Sequence, residues 1–220
     1  MHDTLVLPET MSFESAVLVE PLACVLKGLG RVRVRASDTA VVIGLGIMGQ
    51  LHVAALRIMG LNKVIGVDRV GYRIQRAIEN GAAGCIDAGT ERIQDGVGRL
   101  TGGEMAQLVV VGPASASAMG SGIECAGAGA HVLFFSPANP GETLFIDPNA
   151  LYFRDVSLVT SYSCGPPDTR AALNMISEGD ADWERMITHR FPIEGIAEAF
   201  RLTAEGGASL KSIITFQDRA

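Results

Sequence analysis

The chain is short of the features that mark several classes of function. Basic residues are in deficit: 18 Lys and Arg stand against 24 Asp and Glu, a net charge of −6. That balance argues against a nucleic-acid or anionic-membrane surface, and no basic window interleaved with aromatics reverses it. The four cysteines (Cys24, Cys85, Cys125 and Cys164) include no C-x-x-C pair, so they read as reduced structural thiols. His2, His52, His131 and His189 are equally scattered, and no metal cluster is legible along the chain. The opening residues, Met1-His2-Asp3-Thr4, lack the basic start and apolar run of a signal peptide. The uncharged stretches 39–56 and 105–123 are broken by glycines, the second also by Pro113, so neither reads as a membrane span. There is no G-x-S-x-G elbow, phosphate-loop lysine motif or metalloprotease helix. The expectation is a cytoplasmic globular protein, with length for one good core and a small second lobe.

Glycine is abundant, 26 of 220 residues against the usual share of about 7%, as tight turns between strands and helices or a phosphate-binding loop would need. From residue 39 onward, short apolar runs alternate with stretches of helical periodicity. Strands are predicted at 39–43, 63–68, 84–87, 107–111, 130–135 and 156–161. Helices are predicted at 47–59, 71–79, 91–100 and 115–125. The strands are continuous Val/Ile/Leu runs without in-out alternation, so both faces are covered. The fold class that follows is α/β, a doubly wound parallel sheet.

Two flanks fall outside this rhythm. Residues 1–38 hold a helix opening near Ser12 as N-cap, then a second helix over 22–29 with Pro21 in its first turn. Residues 162–220 read helix (168–177), strand (186–191), helix (193–203), strand (211–216). The domain expectation is residues 1–30 as leading helices, 31–163 as a dinucleotide-binding domain and 164–220 as a closing helix and return segment.

Gly44-Leu45-Gly46-Ile47-Met48-Gly49 is a G-x-G-x-x-G motif at the end of one strand and the start of a helix, the context that gives it meaning. Gly44 permits a tight turn, Gly46 lets backbone approach a pyrophosphate, and Gly49 lets the helix lie close on the sheet. Helix N–H groups at Ile47 and Met48 then face the phosphates. Asp68 ends the second strand, 19 residues after Gly49. A carboxylate there accepts hydrogen bonds from an adenosine ribose and repels a 2′-phosphate, favouring NAD over NADP. Arg69 follows and could soften that choice by pairing with a phosphate. The motif implies a Rossmann-type sheet, which also fits some methyltransferases.

The flanks separate the two. Val19-Glu20-Pro21-Leu22-Ala23 resembles the E-P-L segment of zinc-dependent medium-chain alcohol dehydrogenases, closest to their sorbitol, polyol and threonine dehydrogenase branch. Ile187-Thr188-His189-Arg190-Phe191-Pro192 with Glu198-Ala199-Phe200 resembles the T-H-R-F-P…E-A-F segment of that branch, and Lys211-Ser212-Ile213-Ile214 its closing strand. The resemblance implies cofactor roles for Gly44, Gly46, Gly49 and Asp68; Ile47, Met48 and Arg69 are read beside them as cofactor-binding residues. It places Arg73 near the adenosine ribose and Lys211 near the pyrophosphate. It implies that Glu20 stands at the catalytic zinc, although as a residue it also reads as a solvated first-turn glutamate.

In that family a preceding domain supplies the zinc-ligating cysteine and His-Glu pair. The 19 residues before Glu20 contain no cysteine and only His2, so this chain is not expected to hold zinc by itself. The segments 186–191 and 211–216 resemble strands that pack on that other domain. Their Ile187, Phe191, Ile213, Ile214 and Phe216 are expected to need another cover, from a homo-oligomer (dimer or tetramer) or a partner chain, or else to be locally disordered. The strand at 156–161 resembles the sheet edge through which family members dimerise. Two functions remain: the cofactor-binding portion of an NAD-dependent alcohol or polyol dehydrogenase acting on a small-molecule alcohol, or an NAD-binding and dimerisation module without its own catalysis. Cys164 reads as a packed loop thiol, and His52 and His189 as structural.

Overall fold

The computed structural model describes residues 4–179 and 181–216; His2 lies outside them. Six strands form one parallel sheet: β1 (Thr39–Ile43), β2 (Lys63–Asp68), β3 (Gly84–Asp87), β4 (Ala106–Val111), β5 (Ala126–Phe134) and β6 (Ser157–Thr160). Their spatial order is β3-β2-β1-β4-β5-β6, the Rossmann order whose reversal between β1 and β4 opens a crevice at the strands' carboxyl ends. Every residue of β1 is buried and so are the last four of β4, as expected of central strands covered on both faces.

Helices cover both faces. On one side α2 (Val19–Leu29), α3 (Ile47–Ile58) and α8 (Pro166–Ser177) share a core cluster that includes Leu18, Leu22, Leu51, Leu133, Ala172 and Ile176. On the other, α5 (Ile93–Thr101) and α6 (Ala116–Glu124) enclose a second cluster with Ile65, Val97, Val109 and Val132. The helix α4 (Gly71–Glu79) joins β2 to β3. Thus α2, which lies outside the strand-helix rhythm of the sequence, is packed into the main core.

Local chemistry sets the ends of these elements. The short α1 (Phe13–Ala16) begins at Ser12, whose Oγ accepts from the Ser15 N–H at 2.9 Å. A helix not foreseen from the sequence, α7 (Pro148–Arg154), is capped by Asp147, which accepts from the N–H groups of Asn149 and Ala150. The strand β5 starts at Ala126, four residues before the predicted 130. Its Ala-Gly-Ala-Gly opening has little strand propensity, and the register against β4 shifts between Ala106 and Leu108.

The C-terminal segment builds a separate two-stranded parallel sheet, β7 (Ile187–Pro192) with β8 (Lys211–Thr215), joined by a crossover containing α9 (Ile196–Glu205). The expectation that its apolar residues would all need outside cover is corrected in part. Ile187 and Ile213 are buried, because α9 and the 3-10 turn at Trp183–Met186 pack on the pair. Phe216 and Phe200 remain 75% and 72% exposed.

Candidate functional site

The glycine loop sits where the strand order reverses. Gly44 takes φ +85° and a Cβ there would lie 2.9 Å from Pro113 Cδ, so both backbone and space call for glycine. Gly49 packs α3 against the loop so closely that a Cβ would fall 1.9 Å from the Gly44 carbonyl oxygen. Gly46 differs: a Cβ would meet nothing within 4 Å. Protein packing does not account for glycine at that position, while the open space lies where α3 begins. Its first N–H groups, on Ile47, Met48 and Gly49, have no carbonyl four residues back inside the helix. Backbone donors and a positive helix end therefore border vacant space, the arrangement that suits a phosphate.

Asp68 does more than the sequence suggested. Its Oδ2 accepts from the Leu45 N–H at 2.7 Å, and its Oδ1 accepts from the N–H groups of Arg69 at 2.7 Å and Val70 at 2.9 Å. The carboxylate thus clamps the glycine loop to the turn after β2. Arg73 Nη1 stands 3.8 Å from Asp68 Oδ2, and Arg73 Nε is buried without a partner among the described residues. A guanidinium so poorly satisfied beside a cleft can donate to an incoming ligand.

Gln50 is a positioning residue that sequence reasoning missed. It is fully buried. Its Nε2 donates to the carbonyls of Leu45 and Arg73, both at 2.9 Å, and its Oε1 accepts from Asn80 Nδ2 at 2.8 Å. One amide therefore ties the glycine loop to both ends of α4. Only its place immediately after Gly49, polar on a helix otherwise apolar there, could have signalled it.

Two adjoining cavities open beside this loop. One, of about 430 Å³, is lined by Gly44, Asp68, Arg73, Pro113 and Ser117 among others. The next, of about 440 Å³, is lined by Arg69, Thr90, Arg92 and Glu124 among others, and Arg69 borders both. Lys211 stands apart at the start of β8 and lines neither. The chain just before it does approach: a Cβ on Gly206 would lie 2.9 Å from Arg73 Nη2.

On the other side of the loop, Met48 lines a cavity of about 190 Å³ together with Cys24, Phe135, Pro137, Tyr162 and Ser163. Here residues far apart in the sequence come together. Glu20, Cys24 and Cys164 bring their ligand atoms within 4.8 Å of one another. Glu20 and Cys24 are one helical turn apart on α2, and the Cys24 thiol donates to Glu20 Oε1 at 3.3 Å. Cys164 Sγ lies 4.0 Å from the same oxygen. Burial, reinforced by the Glu20 carboxylate, pushes the Cys24 thiol up to about 12. Burial likewise raises Cys125 to about 12, consistent with an inert core thiol. The 140-residue gap between Cys24 and Cys164 is what hid the cluster in the sequence.

His52 is fully buried, with Nδ1 2.8 Å from the Met48 carbonyl and its ring edge-on to Phe135 at 4.6 Å. Burial pushes its pKa down to about 4, so it is a neutral packing group. His189 stacks near Phe191 and its Nδ1 meets Thr188 Oγ1 at 2.9 Å within β7.

A family model described as zinc-binding dehydrogenase matches residues 48–178. Sorbitol dehydrogenase 1 of Saccharomyces cerevisiae is 29% identical over 226 residues, covering 94% of this chain and 60% of the yeast protein. A protein of Sinorhizobium meliloti 1021 solved bound to NADP superposes with a TM-score of 0.87 at 24% identity, over 94% of this chain and 61% of the other. The alcohol dehydrogenase of Thermus sp. ATN1 gives 0.86 at 22% identity, over 96% and 62%. The chain therefore spans about 60% of the length of such relatives.

Proposed function

Since the chain belongs to the zinc-binding dehydrogenase family, we propose that it is the cofactor-binding portion of an NAD-dependent alcohol or polyol dehydrogenase. The observation that carries this reading is Gly46, whose missing side chain leaves open space at the N-terminus of α3. The N–H groups of Ile47, Met48 and Gly49 would receive the pyrophosphate. Asp68, held at the edge of the 430 Å³ cavity, would accept a hydrogen bond from the adenosine ribose with its remaining lone pair. Arg73 would donate to the same ribose. The polyol substrate class rests on the relatives named sorbitol dehydrogenase.

The bound nicotinamide supplies the hydride chemistry; the chain supplies position, a dry apolar wall and fixed donors. Cys24, Met48 and Phe135 wall the smaller cavity on the other side of the glycine loop, and there the nicotinamide end would lie. Zinc, when held near Glu20, would supply Lewis acidity toward an alcohol oxygen. The donor chemistry fits: a carboxylate and two thiols are zinc ligands.

A neighbour of the same fold was solved with NADP, so the fold alone does not choose the cofactor; Asp68 favours the unphosphorylated one. Titrating NADH and NADPH against the protein by cofactor fluorescence should give tighter NADH binding. Equal or tighter NADPH binding would overturn the preference.

We further propose a homo-oligomer in the cytoplasm. No helix among the described residues is long and apolar enough to cross a membrane. Among the described residues the strand β6 pairs only with β5, and Tyr152 and Phe153 on the adjoining α7 are exposed. An unpaired edge beside aromatic surface invites a second copy or a partner chain. Sedimentation equilibrium should return at least twice the mass of one chain; a monomer at all concentrations would contradict it.

A further inference from the structure

Cys24 and Cys164 are 140 residues apart in the sequence, yet their sulfurs lie within 4.8 Å of each other. We propose that this pair is a reversible redox site, which a hydroperoxide closes into a disulfide and a thiol reductant reopens. The proposal does not rest on the cofactor reading, because the bond is read from the mass of the chain.

Geometry and access support it. A disulfide holds its sulfurs about 2.05 Å apart. Turning a thiol from one staggered χ1 well to the next moves its sulfur by about 3 Å, enough to span the difference. Both thiols are only partly buried, and Cys24 lines the 190 Å³ cavity beside Met48, which admits a molecule as small as hydrogen peroxide. The backbones that carry them are fixed. Leu22, Ala23, Val25 and Leu29 hold α2 in the core, and Lys27 Nζ ties that helix to the Tyr162 carbonyl at 2.9 Å. Ser163 then turns the chain with φ +58°. The other two cysteines cannot pair with each other: Cys85 packs against the core cluster on one face of the sheet, and Cys125 lies in the cluster on the other.

The chemistry runs in two balanced steps. The Cys164 thiolate attacks the peroxide, the O–O bond breaks, one water leaves after taking a proton, and the sulfur becomes a sulfenic acid. The Cys24 sulfur then attacks that of Cys164, forming S–S and breaking S–O, and hydroxide departs as a second water with the Cys24 proton. Two thiols and one peroxide give one disulfide and two waters. Burial and the Glu20 carboxylate keep Cys24 protonated, which makes it the second thiol to react, since the thiolate is the attacking form. Glu20 Oε1 accepts from the Cys24 thiol at 3.3 Å and lies 4.0 Å from Cys164 Sγ, where it can pass that proton to the departing hydroxide.

The test treats the full chain, reduced and freed of metal, with hydrogen peroxide under native conditions, then alkylates the free thiols and maps the peptides by mass. The chain should lose two hydrogens, with Cys24 and Cys164 in one cross-linked peptide and Cys85 and Cys125 alkylated. Dithiothreitol should restore the reduced mass. Cys24→Ser should stop at a sulfenic acid on Cys164 that dimedone traps, and Cys164→Ser should keep its reduced mass. Because the bond closes a long loop, oxidation should raise the melting temperature by at least about 4 °C. The wild-type map stands even where a variant fails to fold. Both thiols still alkylated after peroxide, Cys164 advancing to a sulfinic acid, a cross-link to Cys85 or Cys125, or a lower melting temperature in the oxidised chain would each overturn the proposal.

Discussion

Gly44, Gly46 and Gly49 are needed for three different reasons, and two of them act without any ligand. Gly49→Ala would drive a methyl to 1.9 Å from the Gly44 carbonyl oxygen, which the backbone can relieve only by moving α3. We expect a loss of about 3 kcal/mol, at the upper end of ordinary overpacking costs. Urea unfolding followed through Trp183, which is buried and the only tryptophan, measures it as a lower midpoint. His52 gives a second outcome. Its folded pKa is about 4, whereas the unfolded chain takes up that proton near 6.5. The unfolded state binds more protons in between, so stability is full above pH 6.5 and falls as pH drops toward 4, by up to about 3 kcal/mol. His52→Leu should flatten that part of the stability profile; an unchanged slope between pH 6.5 and 4 would show that other groups cause it.

Between elements, the loop is held by polar contacts that no motif records. Gln50 links Leu45 and Arg73 through their carbonyls and takes a hydrogen bond from Asn80. Gln50→Met keeps the volume but leaves those groups buried and unpaired, at about 1–3 kcal/mol for each group that water cannot reach. The expected result is a lower unfolding midpoint together with weaker cofactor binding, since the loop loses its tether to α4. A variant that loses neither would show the tether to be dispensable. Gln50 also marks the limit of sequence reading. Strands β1, β2 and β4 were legible because continuous apolar runs end at glycine or aspartate. The helix α7 was missed although Asp147-Pro148 is a capping signal, because the helix is only seven residues long. The Asp68 clamp on the Leu45 N–H and the meeting of Cys24 with Cys164 depend on how the chain returns in space, and neither leaves a periodic trace.

For the molecule as a whole, α2 and α8 belong to one core. Leu22 is fully buried in the cluster that also holds Ile176 and Trp183. Leu22→Ala should cost about 2–5 kcal/mol, read by the same tryptophan signal; a change below 1 kcal/mol would mean that α2 is loosely attached. The same packing places Cys24, one turn from Glu20, beside Met48 at the start of α3. What unites these parts is the dinucleotide binding proposed at the start of α3, and Gly46 isolates it, because a Cβ there would meet nothing within 4 Å beyond its chain neighbours. The decisive measurement is an NADH titration of Gly46→Ala beside the wild type, with thermal unfolding of both. The expected result is an unchanged melting temperature with NADH affinity reduced at least about tenfold, a difference of about 1.4 kcal/mol. Equal NADH affinity in the two proteins, or no NADH binding by the wild type, would contradict it.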